Sequence, residues 1–127
     1  MSLSSYPIQT SVAVSDMTRS TDFYEQVVGL SARTEQGDGS RVYALGGGTS
    51  LHVYPSPNAT GKTAGTIATW HVSNLEQVVD ELAGNGATFE QYHDPPMDTD
   101  AKGIQATPDG KVAWFRDPDG NTFAIEQ

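Results

Sequence analysis

The sequence predicts an α+β protein built of two βαβββ units, and three observations carry that reading. Hydrophobic residues make up 36% of the 127, charged residues only 18%, and 13 Gly and 7 Pro punctuate the chain. Such a composition suits short strands and tight turns better than a helical bundle or a disordered tail. Apolar residues alternate with period two in several short runs, while only two stretches carry helical spacing. The order strand, helix, three strands then occurs twice. The length is that of one domain with one core. The expected organisation is therefore a single domain over residues 1–127, its units spanning about 6–60 and 64–127.

The first unit opens at Ile8 to Val14, where Ile8, Val12 and Val14 alternate with Gln9, Ser11 and Ala13 as in a half-buried strand. Asp16 stands where a helix N-cap is expected. Met17, Ser20, Tyr24 and Val27/Val28 follow at spacings of three and four, and Gly29 falls where a left-handed cap ends a helix. Strands are expected at about Ser31 to Glu35, Arg41 to Leu45 and Thr49 to Tyr54. In the second unit Thr66 to Val72 is a strand, Asn74 with Gln77 forms a capping box, and Leu75, Val78, Val79 and Leu82 give one apolar helix face. Gly84 and Gly86 end that helix. Strands at Thr88 to Tyr92, Lys111 to Arg116 and Thr122 to Glu126 complete the unit, the last two joined by the turn Asp117-Pro118-Asp119-Gly120-Asn121. Asp94 to Gly110, rich in acidic, Gly and Pro residues, is expected to be a long loop near a cavity mouth, with Met97 and Ile104 able to touch a ligand.

Charge narrows the function classes. Seven Lys and Arg against 16 Asp and Glu give a net charge of −9, with no basic stripe, so nucleic acid and anionic membrane are poor partners. The absence of Cys removes disulfides, thiolate nucleophiles and thiolate metal sites. Met1 to Tyr6 shows no basic patch leading into an apolar run, and no 18-residue apolar stretch exists. The expectation is a soluble cytoplasmic protein.

The units align with each other. Val14-Ser15-Asp16 matches Val72-Ser73-Asn74, Arg41-Val42 matches Lys111-Val112, and Leu51-His52-Val53 matches Phe123-Ala124-Ile125, which points to an internal duplication of about 60 residues. Strand parity follows: if Val12, Val14, Leu51 and Val53 pack under helices, Gln9, Ser11, Ala13, Ser50, His52 and Tyr54 face the other way. That second face mixes small, polar and aromatic residues, as a cavity does.

Ser15-Asp16-Met17-Thr18-Arg19-Ser20-Thr21-Asp22-Phe23-Tyr24-Glu25-Gln26-Val27-Val28-Gly29-Leu30 is similar to the D-x-x-x-S-x-x-F-Y-x-x-x-L-G-L opening of the vicinal oxygen chelate superfamily. Trp114-Phe115-Arg116-Asp117-Pro118-Asp119-Gly120-Asn121 resembles its closing F-x-D-P-D-G-N. The superfamily includes glyoxalase I, bleomycin-resistance proteins and extradiol dioxygenases. The resemblance covers nearly the whole chain and implies a glyoxalase/bleomycin-resistance/dioxygenase-like fold with a concave, cavity-forming sheet. Metal enzymes of the superfamily place a ligand in the first and last strand of each unit, usually His and Glu; by position these fall on Gln9, His52, Ile67 and Ala124. Ile67 and Ala124 have no electron pair to donate, and two remaining ligands would hold a divalent ion weakly. The departure argues against glyoxalase I and iron dioxygenase chemistry and for a metal-free, cofactor-free binding member.

The candidate ligand-binding residues are accordingly Gln9, Ser11, His52, Tyr54, Trp114 and Glu126. His52 can act as a general base or substrate-binding group, or be a strand histidine bonded to a neighbour. Trp114 is expected on the cavity face, where an indole supplies apolar contact and stacking, with core filler as the alternative; Trp70 is expected in the core. Glu126 is a displaced acid or a solvated carboxylate. His71 lies about 13 Å along a strand from Ile67, too far to replace the missing ligand, and His93 is a loop residue. Gly61-Lys62-Thr63 lacks the preceding Gly of a phosphate loop, Asp117 to Gly120 lacks the third acid of a calcium loop, and Asn58-Ala59-Thr60 is a sequon expected to stay unmodified. The favoured function is binding of a small organic molecule by a homodimer. The alternative is a divergent lyase, isomerase or dioxygenase-type enzyme using His52 with Gln9 and Glu126, and a third reading is a stress or regulatory binding module without turnover.

Overall fold

The computed structural model describes residues 3–31 and 33–127. The elements run β1 (Thr10–Val14), α1 (Met17–Asp22), β2 (Arg33–Glu35), β3 (Arg41–Ala44), β4 (Ser50–Pro55), β5 (Thr66–His71), α2 (Leu75–Gly84), β6 (Ile104–Thr107), β7 (Gly110–Arg116) and β8 (Thr122–Glu126). The βαβββ order thus appears twice. Two four-stranded sheets form, β1-β4-β3-β2 and β5-β8-β7-β6. In each the first strand lies parallel to the last and the remaining pairs are antiparallel. Register repeats too: Ser11 stands opposite His52 and Thr69 opposite Ala124, the equivalence the duplicated sequence predicts.

Local chemistry explains the helix ends. Asp16 Oδ1 accepts from the Thr18 and Arg19 amides at 2.9 and 3.2 Å, so the expected N-cap is made. Beyond Asp22 the helix widens into a π turn over Phe23–Val27, within which Tyr24 is buried. Gly29, at φ +88, takes the left-handed conformation that lets the Leu30 amide donate back to the Tyr24 carbonyl at 2.9 Å and close the helix. The expected capping box on α2 is not made. Asn74 donates to the Gln77 side chain instead of a backbone amide, and the Leu75 amide is capped from far along the chain by Gln127 Oε1 at 2.7 Å.

Three strand expectations are corrected. Ile8 is 95% exposed and the first strand begins at Thr10. Thr88 to Tyr92 is not a strand: only Phe89 bridges Phe115, while the Glu90 amide donates to the Trp114 carbonyl at 2.8 Å. The strand lies instead at Ile104–Thr107, within the expected loop, paired with the first half of β7. One segment therefore contacts the far half of β7 and another pairs with the near half. Ile104 is consequently core, 8% exposed, and no lid residue. Ala32, inside the expected strand Ser31 to Glu35, lies outside the described residues.

A core shared by both units holds the fold. Val12, Val14, Leu51 and Val53 from the first sheet join Phe115, Phe123 and Ile125 from the second and Leu75, Val79 and Leu82 from α2. Tyr24 stands edge-on to Phe123 at 6.0 Å, and Phe23 packs on Phe115 at 6.3 Å, so aromatics of the first unit pack directly on the second sheet. The polar counterpart is the β7–β8 turn. Tyr24 donates to Asp117 Oδ2 at 2.7 Å, Ser15 donates its amide and hydroxyl to Asp119, and Asn121 Nδ2 donates to the Ala13 carbonyl at 3.0 Å.

Burial first, and then the Asp117 carboxylate, push the Tyr24 phenol far above the ordinary tyrosine range. Burial and a hydrogen bond to Glu25 push Tyr43 up to about 12. An unfolded tyrosine ionises near pH ~10, so above that value the native state binds more protons than the unfolded one. The stabilisation is complete below pH ~10 and falls as pH rises toward the folded value. Tyr24→Phe is expected to cost about 1.5–3 kcal/mol at neutral pH, the scale of a hydrogen bond to a charged group, and to flatten the loss of stability between pH ~9.5 and ~11. Urea unfolding across that range, wild type against variant, checks both effects.

Candidate functional site

The sheet faces turned away from the core carry the candidate residues because parity sends them there. On the first sheet the cross-strand pairs Ser11–His52, Ala13–Tyr54 and Val42–His52 share that face. Gln9 Nε2 donates to Ser50 Oγ at 2.7 Å. His52 is held on both sides, with Nδ1 3.4 Å from Ser11 Oγ, Nε2 3.0 Å from Ser40 Oγ, and its ring stacked on Tyr54 at 5.4 Å between centroids. Ser40 is fully buried and also engages Asp38, whose carboxyl is held below its usual range first by the Ser40 side chain and then by the Ser40 amide at 2.9 Å. Sequence reasoning missed Ser40, although its parity with Val42 was available.

On the second sheet Trp114 pairs with Ala124, Arg116 with Thr122, and Val112 with Glu126, all on one face. Trp114 is half-buried and meets Tyr92 edge-on at 5.4 Å. Its cross-strand neighbour Ala124 is only 4% exposed, so the accessible part of this site is the indole itself. Glu126 is exposed and lies 3.7 Å from His71, while His93, 3.7 Å from Asp98, is exposed in the loop. Trp70 sits on the opposite face, half-buried, stacked on Phe115 at 6.1 Å and tilted on Phe123 at 5.1 Å. It also lines an apolar groove of about 130 Å³ with Val28, Leu30 and Val72.

The six candidates therefore fall into two sets on two sheets. Gln9, Ser11, His52 and Tyr54 form one polar-aromatic patch, and Trp114 and Glu126 belong to the other sheet. Among the described residues no hydrogen bond, ion pair or ring contact joins the sets within one chain.

The metal-ligand positions of the fold do not fit a metal ion. Ile67, at a register shift in β5, packs against the core and like Ala124 is hydrocarbon, which leaves Gln9 Oε1 and one His52 nitrogen as the donors at the four positions. Among the described residues no group of three His, Asp or Glu side chains converges. What the patch offers is hydrogen bonding and stacking.

The duplicated βαβββ fold defines the class. A model of the Glyoxalase/Bleomycin resistance protein/Dioxygenase superfamily matches residues 7–125, and the chain belongs to that family. TnmS3, an antibiotic binding protein from Streptomyces sp. CB03234, matches with a TM-score of 0.71 at 27% identity, over 97% of both chains. A glyoxalase/bleomycin resistance protein from the same Streptomyces strain matches at 0.68 and 28% identity, over 92% of this chain and 96% of its own. The fosfomycin resistance protein FosX of Listeria monocytogenes shares the fold at 0.68 and 12% identity, over 96% and 92%. No curated protein matches the sequence. No helix among the described residues is long and apolar enough to cross a membrane.

The two tryptophans are expected to separate fold from site. Trp70→Ala should cost about 3 kcal/mol by emptying an aromatic position against the core, while Trp114→Ala should cost about 1 kcal/mol, the edge-on contact with Tyr92. Chemical denaturation of the two variants measures the difference; a larger loss for Trp114 would reverse the assigned faces.

Proposed function

We propose that this protein binds a small, flat organic molecule on its concave sheet faces, without a catalytic metal and as a homodimer. The observation that carries the reading is the coincidence of a broken donor set with an aromatic one. Ile67 and Ala124 stand at two of the four ligand positions, while half-buried His52, Tyr54, Trp114 and Tyr92 present ring faces and edges on the same side of the sheets. Rings supply most of the contact area for such a ligand, and Gln9, Ser11 and His52 supply polar contacts that orient it. TnmS3 is described as an antibiotic binding protein, which supports binding rather than turnover as the shared role. Open edges support the dimer: β1 pairs only with β4 and β5 only with β8, and unpaired edges call for cover.

An enzymatic role for His52 has one observation in its favour, the line Asp38, Ser40, His52, Ser11. It orients the ring, yet Ser40 stands between the imidazole and the carboxylate, unlike the direct contact of a triad. Binding remains the better supported reading.

Light scattering at micromolar concentration is expected to give about twice 13.6 kDa; a single-chain mass would refute the dimer. Titration with 2-naphthol, a neutral flat probe, should quench tryptophan fluorescence, and Trp114→Ala should weaken binding about tenfold, the scale of a lost buried ring contact. Elemental analysis after purification without added metal should find less than about one divalent ion per two chains; stoichiometric zinc, nickel or iron would overturn the metal-free reading.

A further inference from the structure

The segment Gly61-Lys62-Thr63, which fails as a phosphate loop, is drawn by the fold to the second sheet's concave face. Gly61 adopts φ +67, and a Cβ there would lie 2.7 Å from the Asp119 carbonyl oxygen, so only glycine lets the linker press against the β7–β8 turn. The Gly61 amide donates to Asn121 Oδ1 at 3.4 Å, and Asn121 Nδ2 reaches Thr60 Oγ1 at 3.5 Å. Lys62 follows directly in the chain and lines the same pocket as Arg116. The two cations line a pocket of about 310 Å³ with Thr63, Thr122, Gly61 and Gly120.

Charge makes this pocket unusual in an acidic chain. The chain has seven Lys and Arg, yet two of them meet here and no carboxylate lines the pocket. Cavities of similar size elsewhere contain Glu76, Asp98 and Asp100, or Asp80. Among the described residues Lys62 makes no ion pair within 4.0 Å, whereas Arg116 is held by Glu90, its Nε lying 3.0 Å from Glu90 Oε1. That contact engages Nε, and the terminal nitrogens of the guanidinium make no hydrogen bond among the described residues. Arg116 and Trp114 are two residues apart on the same face, about 6.8 Å along the strand, and the pairs Trp114–Ala124 and Arg116–Thr122 are adjacent.

We infer that the bound molecule is an aromatic anion, its ring against Trp114 and its carboxylate, sulfonate or phosphate in the pocket of Lys62, Arg116 and Thr122. The inference rests on the small-molecule reading above and adds the chemical class of the ligand. A guanidinium takes a planar or tetrahedral oxyanion through paired N–H donors, and the Lys62 ammonium adds a second charge. Thr63 and Thr122, which also line the pocket, carry hydroxyl donors.

Calorimetry with 2-naphthoate and its neutral counterpart 2-naphthamide tests this on the full chain. Wild type is expected to bind the carboxylate about tenfold or more tightly than the amide, a preference that two charge-assisted contacts supply. The preference should fall toward unity in Lys62→Gln and in Arg116→Gln, and should shrink on raising salt from about 0.05 to 0.5 M. Because Arg116→Gln also frees Glu90, the linker variant Lys62→Gln provides an independent reading. Equal binding of both probes, lost in Trp114→Ala, would overturn the anion pocket and leave the ring contact with Trp114 standing. Binding of neither probe would overturn both.

Discussion

The carboxylate of Asp117 is the fixed point from which the rest of the molecule is arranged. It is 5% exposed and takes donors on both oxygens: the Asp119 and Asn121 amides on Oδ1, the Tyr24 hydroxyl and the Asn121 side chain on Oδ2. A buried charge survives only with such a set. Three of the donors come from its own turn and shape it; the fourth comes from the first unit's helix. Neighbouring Asp119 then accepts from Ser15 and pairs with Arg19 at 3.3 Å, and Asn121 reaches β1 and the linker. One five-residue turn therefore sets the position of β1, α1 and the connection between units. The Tyr24 and Phe23 rings pack on the second sheet in the register this turn imposes.

The turn itself was legible, because Asp-Pro-Asp-Gly-Asn has the composition of one. Its docking onto Ser15 and Tyr24 was not, since a sequence shows local chemistry and not which distant donor will meet a buried carboxylate. The same distinction explains α2. Asn74 and Gln77 have capping-box spacing, yet the cap comes from Gln127, 52 residues from Leu75. It also explains β6. Ile104-Gln105-Ala106-Thr107 does alternate, but only over four residues amid Gly, Pro and Asp, whereas Thr88 to Tyr92 carries the stronger β-formers. Tertiary packing decided otherwise: Phe89 bridges Phe115, and Ile104 enters the core lower down β7.

Parity was the most informative product of the sequence, and it assigns faces correctly in both sheets. Val12, Leu51, Val53, Phe115 and Phe123 are buried, and Ser11, His52, Tyr54 and Trp114 lie on the other side. It cannot specify depth or partners, which is why Ser40, Tyr92 and Arg116 went unnoticed. Nor does it say which sheet faces which. Among the described residues no contact within a single chain joins Trp114 to Gln9 or His52.

The duplicated architecture shows how one site position can change its chemistry without disturbing the fold. His52 and Ala124 are register equivalents, each opposite a hydroxyl residue of the parallel first strand, Ser11 and Thr69. In the first sheet the imidazole fills the space over Ser40 and stacks on Tyr54, making a polar patch. In the second the equivalent position is a buried methyl group beside Trp114, and the next pair along, Arg116–Thr122, supplies positive charge. Net charge says little about such a place. Screening limits a charge's reach to about 8–10 Å at physiological salt, so the nearest groups dominate the potential in a pocket. The acidic excess lies largely elsewhere: Glu25 is paired to Arg33 and Arg41, Glu76 and Asp80 surround Lys102, and Asp119 faces Arg19. The face beside Trp114 therefore carries Lys62 and Arg116 toward one end and Glu126 toward the other, with Glu90 in contact with Arg116.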